Sequence, residues 1–390
     1  MQKIAKALDV KVDGLISKSL PLLLVTQLPL NGGVKMKKIL VSDPLANEGV
    51  EILRKNPEFV VDVKTGLKPE ELLRIIGDYD GLLVRSETKV TKDVLNVAKN
   101  LKIIGRAGTG VDNIDVKEAS RRGIVVMNVP GGNTISAAEH TVSMLLSLSR
   151  NIPQANASLK KMEWKKKEFV GVEVFGKTIG IVGLGKIGVE VAKRLLAFGM
   201  KVLVFDPFVS KERAVQLGVE SVPLDEVFKR SDYITVHTPK TEQTKNLINS
   251  ETIKKMKDGV RIINCARGGL IDEKALADAL RSGKVKGAAL DVFEKEPLVE
   301  SPFFEMNNVI MTHHLGASTE EAQTNVSVEI AKQLMEYFEK GTIRNAVNFP
   351  YIPAEILQKM QPYISLSEKL GSFASQFSDG RISSIEIEYS

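Results

Sequence analysis

The stretch Gly183-Leu184-Gly185-Lys186-Ile187-Gly188 follows the apolar run Thr178 to Val182, and an acid, Asp206, closes the next apolar run, Val202 to Phe205. Glycines at these spacings let a chain turn tightly, bring backbone N–H groups close to an anion and pack a helix against its strand. An acid 18 residues beyond the last glycine can accept both hydroxyls of a ribose. Strand, turn, helix, strand and terminal acid together predict a dinucleotide-binding unit, with Gly183, Gly185, Lys186, Ile187, Gly188 and Asp206 on the ligand. The same carboxylate would repel a 2′-phosphate, so NAD is expected over NADP. A second glycine-rich stretch, Gly105-Arg-Ala-Gly108-Thr-Gly110, lacks this sequel and needs another role.

From Met36 onward, short β-branched runs alternate with helical patterns, first over Lys38 to Met127 and again over Thr178 to Thr312. Near-continuous apolar runs mark strands buried on both faces, which implies parallel sheets covered by helices. Two doubly wound α/β domains are therefore expected. The first takes residues 36–135 and 318–349, because a helix from Ser318 to Glu339 leads the chain back, and the nucleotide-binding domain takes 136–317. Between them Asn133 to Arg150 reads as a helix with apolar residues almost all round. Such a helix must be buried at the domain seam or against another subunit, and on this ground a homodimer is expected. Residues 1–35 read as an N-terminal extension, and 350–390 as the start of a further domain, with Asn348 to Pro353 a linker and Ser383 to Tyr389 part of a strand.

The chain has 390 residues, 43% of them hydrophobic, which fills real cores and excludes general disorder. Its net charge of +6 is a weak argument for nucleic acid, because 54 basic and 48 acidic residues are interspersed. The one dense charge run, Lys160 to Lys167, reads as a solvated connection. With one cysteine and four histidines there is neither a disulfide framework nor a metal-ligand spacing, and no metal is expected. The apolar stretch Leu20 to Leu30 is too short to span a bilayer and carries Pro21 and Pro29. A cytoplasmic location is expected.

In doubly wound sheets, ligands sit beyond the carboxyl ends of the strands. Arg267, Asp291 and His314 each follow an apolar run, and Thr238 and Pro239 cap another, so these residues are expected around one crevice with Asp206 and the glycine loop. Histidine suits proton exchange near neutral pH. His140 lies in the helix and reads as packed or dimer-facing, His237 either meets the cofactor or is spent locally, and alternation sends only one of His313 and His314 inward. Glu296 is the acid that could orient the histidine, with Glu294 its competitor. Arg267 can hold a carboxylate through its planar fork, although an Arg-Gly-Gly turn also serves as a plain strand-to-helix loop. Cys265 reads as a small residue near the cofactor.

With these segments assembled, the sequence resembles the D-2-hydroxyacid dehydrogenases over Met36 to about Pro350. The resemblance is carried by Gly105-Arg-Ala-Gly-Thr-Gly-Val-Asp-Asn, Val182-Gly-Leu-Gly-Lys-Ile-Gly, His237-Thr-Pro, Asn264-Cys-Ala-Arg-Gly-Gly, Ala289-Leu-Asp-Val-Phe-Glu and His314-Leu-Gly-Ala-Ser-Thr. It implies a Rossmann NAD-binding domain, a flavodoxin-like substrate domain and a cleft between them. It further implies that Arg267 binds substrate, Glu296 partners the histidine and His314 exchanges the proton. Lys186, Ile187, Asp206, Cys265, Ala266, Asp291, Gly316, Ala317 and Thr109 would line the cofactor. The substrate carboxylate would rest on the N–H groups of Ala107, Gly108 and Gly110, and a phosphate on Arg85 and Ser86. The expected reaction is NAD-dependent oxidation of 3-phospho-D-glycerate, the first step towards serine. The alternatives are a glyoxylate or hydroxypyruvate reductase, or a non-catalytic NAD-sensing corepressor. The family pattern places proline where His313 stands here.

Overall fold

A computed structural model describes residues 36–349 and 354–377. The expected N-terminal extension, most of the expected linker and the strand expected at Ser383 to Tyr389 lie outside the described residues. A first sheet comprises β1 (Lys37–Val41), β2 (Phe59–Val63), β3 (Gly81–Val84), β4 (Ile103–Arg106) and β5 (Val125–Met127). All its pairings are parallel, in the order β2-β1-β3-β4-β5. A second sheet comprises β6 (Thr178–Val182), β7 (Lys201–Phe205), β8 (Glu220–Ser221), β9 (Tyr233–Val236), β10 (Val260–Asn264), β11 (Val285–Leu290) and β12 (Val309–Met311). It is also parallel, in the order β12-β11-β10-β9-β6-β7-β8. These are the flavodoxin-like and Rossmann orders, and each reverses direction once, between β1 and β3 and between β6 and β9. Those two reversals open the crevices from which the site is built.

Alternation along β1 divides its side chains between two layers. Leu40 joins Leu72, Leu82 and Val94 on one face, while Ile39 and Val41 join Leu53 and Phe59 on the other. That second layer is completed by Val326, Ile330, Ala331 and Leu334 of the helix Glu320–Lys340, which follows β12 and returns the chain to the first sheet. Burying each large apolar side chain stabilises the fold by about 1.5–3 kcal/mol relative to leaving it in water. The return is fastened at Gly49, where an added Cβ would lie 2.5 Å from Ser327 O, and by Ala46 N donating to Ser327 Oγ at 3.0 Å.

The bridging helix Thr134–Arg150 packs Ala138, Val142, Leu145 and Leu148 against Ile179, Ile181 and Val191 of this same chain, while Ile135 in its first turn stays half exposed. Further exposed apolar side chains cluster just after it, at Leu159, Met162, Trp164, Val170 and Phe175. Asn348 is likewise no linker residue: its Oδ1 accepts from Val126 N at 2.8 Å and its Nδ2 donates to Ile124 O at 2.8 Å, clipping it to β5. No helix among the described residues is long and apolar enough to cross a membrane.

Candidate active site

The fingerprint loop lies at the reversal of the second sheet, where β6 and β9 end side by side. Gly183 has φ 97°, and a Cβ there would meet His237 O at 2.7 Å. A Cβ on Gly188 would lie 2.2 Å from Gly183 O, so the helix Lys186–Ala197 comes this close to the loop only with glycine. Gly185 differs, since nothing lies within 4 Å of where its Cβ would point. It begins that helix without any side-chain cap, leaving the first-turn N–H groups, including those of Lys186, Ile187 and Gly188, for a ligand. The Lys186 side chain turns away and donates to Pro130 O at 3.0 Å. Asp206 is doubly used: Oδ2 accepts from Leu184 N at 2.7 Å and Oδ1 from Phe208 N at 2.9 Å, leaving further lone-pair capacity on each oxygen. At the end of β9, Thr238 Oγ1 and His237 Nδ1 are buried without partners, while Pro239 is exposed. Burial pushes the His237 ring down to about 4, so it is neutral and unsuited to the proton-exchanging role.

A second group gathers beyond β10, β11 and β12. His314 Nδ1 lies 2.7 Å from Glu296 Oε2, and Glu296 Oε1 accepts from Phe293 N at 3.0 Å. Burial opposes ionisation of Glu296, yet these bonds from His314 and Phe293 outweigh it and hold the carboxyl below the usual carboxylate range. Glu294, the competing acid, is instead fixed through its N–H to Glu273 Oε1 at 2.6 Å. The Phe293 turn rests directly on Gly268, where a Cβ would lie 1.7 Å from Phe293 O, so the arginine beside that glycine and the Glu296 loop are locked together. Cys265 is buried beneath, and burial together with the Asp291 charge pushes its thiol up, which removes it as a nucleophile. Gly316 is buried, Ala266 and Ala317 are half-buried, and a Cβ on Gly316 would meet Asp291 Oδ2 at 3.3 Å.

The glycine-rich stretch of the first sheet faces this group. Ala107 N donates to Val84 O at 2.8 Å and Gly108 N to Arg106 O at 2.9 Å, which corrects the expected carboxylate cradle. Those two N–H groups are spent on the fold, and only the N–H groups of Thr109 and Gly110 remain. Thr109 Oγ1 donates to Asn133 Oδ1 at 2.9 Å. The loop is instead roofed by guanidinium groups. A Cβ on Gly110 would lie 2.2 Å from Arg267 Nη2, and one on Gly108 would lie 1.7 Å from Arg106 Nη1. Arg267 Nε is 3.2 Å from Asp112 Oδ2, a link between the two sheets' loops.

Arg106 was not singled out from the sequence, although it ends β4, the position that marks the other candidates. Burial first, then the charges of Arg267 and Arg85, push its pKa down to about 10, so it remains a cation at neutral pH. Its Nε is buried without a partner. Arg85 follows β3, with its N–H held by Asp43 Oδ2 at 2.6 Å, and Ser86 beside it is exposed. Thus three cations act on one another, with Asp112 and Asp43 offsetting them at Arg106, an arrangement that a ligand with more than one acidic group would complete.

Residues 142–316 match the family described as D-isomer specific 2-hydroxyacid dehydrogenase, NAD binding domain. The chain is 50% identical over 374 residues to a D-3-phosphoglycerate dehydrogenase of Synechocystis sp., covering 96% of this chain and 66% of that protein. It is 51% identical over 356 residues to the enzyme of that name from Methanocaldococcus jannaschii, covering 91% of this chain and 68% of that one. The chain thus spans about two thirds of the length of the curated relatives it matches. Among solved structures, D-lactate dehydrogenase from Aquifex aeolicus complexed with NAD and lactic acid superposes with TM-score 0.71 at 30% identity, covering 80% of this chain and 100% of that one. The open space at Gly185, the uncapped helix start and the unpartnered Thr238 hydroxyl fit NAD.

Proposed function

The chain belongs to the D-isomer-specific 2-hydroxyacid dehydrogenases and carries that family's NAD-binding domain, and from this premise we propose that it oxidises 3-phospho-D-glycerate to 3-phosphohydroxypyruvate. The observation that carries the reading is the Glu296–His314 pair, tied through the Gly268–Phe293 contact to Arg267, whose charge is felt together with that of Arg85 at Arg106. A lactate-sized acid needs one cationic partner, whereas three suit a substrate bearing both a carboxylate and a phosphate. The relatives named D-3-phosphoglycerate dehydrogenase, near 50% identity, support the same substrate.

In this reading Thr109 N, Gly110 N and the Arg267 fork hold the carboxylate and polarise the neighbouring oxygen, while Arg85, Ser86 and Arg106 hold the phosphate. Glu296 accepts the Nδ1 proton of His314, which leaves Nε2 free to take the hydroxyl proton from C2. NAD, when bound, would supply the acceptor for the hydride leaving C2. As that proton leaves, Glu296 stabilises the imidazolium that forms. Gly183, Gly185, Gly188, Asp206, Thr238, Pro239, Ala266 and Ala317 form the cofactor side. The substrate domain takes residues 36–135 and 318–349, and the nucleotide domain 136–317.

We assign the protein to the cytoplasm as a homodimer joined through the apolar segment from Leu159 to Phe175. Exposed Trp164 would lie in that joint, and Trp164→Glu should yield monomers by light scattering; unchanged assembly would remove the segment from the interface.

The direct test of the chemistry is His314→Asn, since asparagine also tolerates the left-handed backbone that His314 adopts at φ 57°. NADH formation should fall roughly 10²–10⁴-fold while NADH and 3-phosphoglycerate still bind. Turnover within tenfold of the unaltered chain would reject His314 as the base.

A further inference from the structure

Three successive N–H groups of the loop that presents His314 are bonded to one residue, Asp291. Asp291 O accepts from His314 N at 2.8 Å, Asp291 Oδ1 accepts from Leu315 N at 2.7 Å and Oδ2 from Gly316 N at 2.8 Å. These successive bonds keep His314 in its left-handed conformation at φ 57°, a backbone state that a non-glycine residue holds only when its surroundings impose it. Asp291 is itself fully buried, so its placement depends on what donates to it.

Two side chains do so. Thr312 Oγ1 donates to Asp291 Oδ1 at 2.6 Å, and His140 Nε2 lies 3.2 Å from both that oxygen and Thr312 Oγ1. Since the Thr312 hydrogen is already committed to Asp291, His140 must be the donor, with its proton on Nε2. One helical turn before it, Ser136 Oγ donates to Gly316 O at 2.9 Å. The bridging helix therefore grips the His314 loop at two points four residues apart.

We infer that His140 is a positioning residue for the proton-exchanging loop: through Asp291 it fixes the backbone of Leu315 and Gly316 and hence the direction of the His314 ring. This rests on the reading of His314 as the base, and the test separates the two. His140→Leu keeps bulk and removes the donor, while His140→Gln restores an N–H at similar reach.

In His140→Leu, hydrogen exchange at the amides of Leu315 and Gly316 should quicken at least tenfold, and kcat should fall about fivefold or more with the NADH Kd within twofold. His140→Gln should return both to within twofold of the unaltered chain. Native exchange and native kcat in His140→Leu would overturn the inference, as would a fall in kcat that His140→Gln fails to rescue. Should His140→Leu not fold, Thr312→Val loosens the same carboxylate and must quicken the same amides; protection unchanged there would equally overturn it. If the unaltered chain shows no turnover, the proposed reaction fails, while the exchange measurement still decides the role of His140.

Discussion

At the level of single residues, charge and close approach decide what each side chain can do. Glu296 is held ionised against its burial by the hydrogen bonds of His314 and Phe293. Replacing His314 with alanine removes one of them, so the Glu296 carboxyl should titrate at higher pH, observable by NMR of labelled glutamate; a downward or absent shift would mean that the pair is not coupled. The sign for stability follows. A depressed folded-state value contributes stability above the ordinary carboxylate range, and that contribution is lost as pH falls through the depressed value. Gly268 is the clearest steric point. Gly268→Ala must move the Phe293 carbonyl that an added Cβ would meet at 1.7 Å, and Glu296 with it. A stability loss of about 1–3 kcal/mol and a far larger loss of NADH formation are expected, by thermal melting and steady-state rates respectively. The roles of Arg267 and His314 could be proposed from the sequence because each follows an apolar run, and that of Glu296 because an acid just before Pro297 could orient the histidine. Arg106 follows one too, but its glycine-rich setting drew attention to backbone N–H groups, and only folding reveals that two of these are spent on Val84 and Arg106.

Among elements, the most legible were those with long apolar runs. Strands β6, β7 and β10 lie where their β-branched residues place them. By contrast β8 is two residues at a sheet edge, Glu220–Ser221, and has no apolar pattern to announce it. The bridging helix was legible as buried but not in what buries it, because periodicity gives a face and not its partner. The fingerprint turn carries its own prediction. Gly188→Ala would set a methyl 2.2 Å from Gly183 O, prying the helix from the loop. NADH binding should weaken sharply in fluorescence titration while the first sheet's melting is unchanged; undiminished binding would contradict the geometry. Asp206 bonds Leu184 N and so holds the fingerprint loop in addition to its proposed contact with the ribose, and Asp206→Ala should lose NAD without gaining NADP. Efficient NADP use by that variant would show the carboxylate to be a selector only.

For the whole molecule, the account turns on two doubly wound sheets meeting with their ligand-bearing ends together. In the proposed reading the second sheet brings the Glu296–His314 pair, the cofactor loop and Arg267, and the first sheet adds Arg85 and Arg106 to the positive charge. That division was foreshadowed by the repeated strand pattern, whereas the number of arginines in the cleft depended on how the two halves meet, as at Arg267 and Asp112, 3.2 Å apart. Losing one charge-assisted hydrogen-bonding partner costs about 1.5–3 kcal/mol, roughly 10- to 150-fold in binding. The decisive measurement is kcat/KM for 3-phosphoglycerate and for D-glycerate with the unaltered chain and Arg106→Met. The account predicts strong preference for the phosphorylated acid, and a drop of that size in Arg106→Met for 3-phosphoglycerate with much less change for D-glycerate. Equal use of both acids by the unaltered chain, or an equal loss for both in the variant, would contradict it.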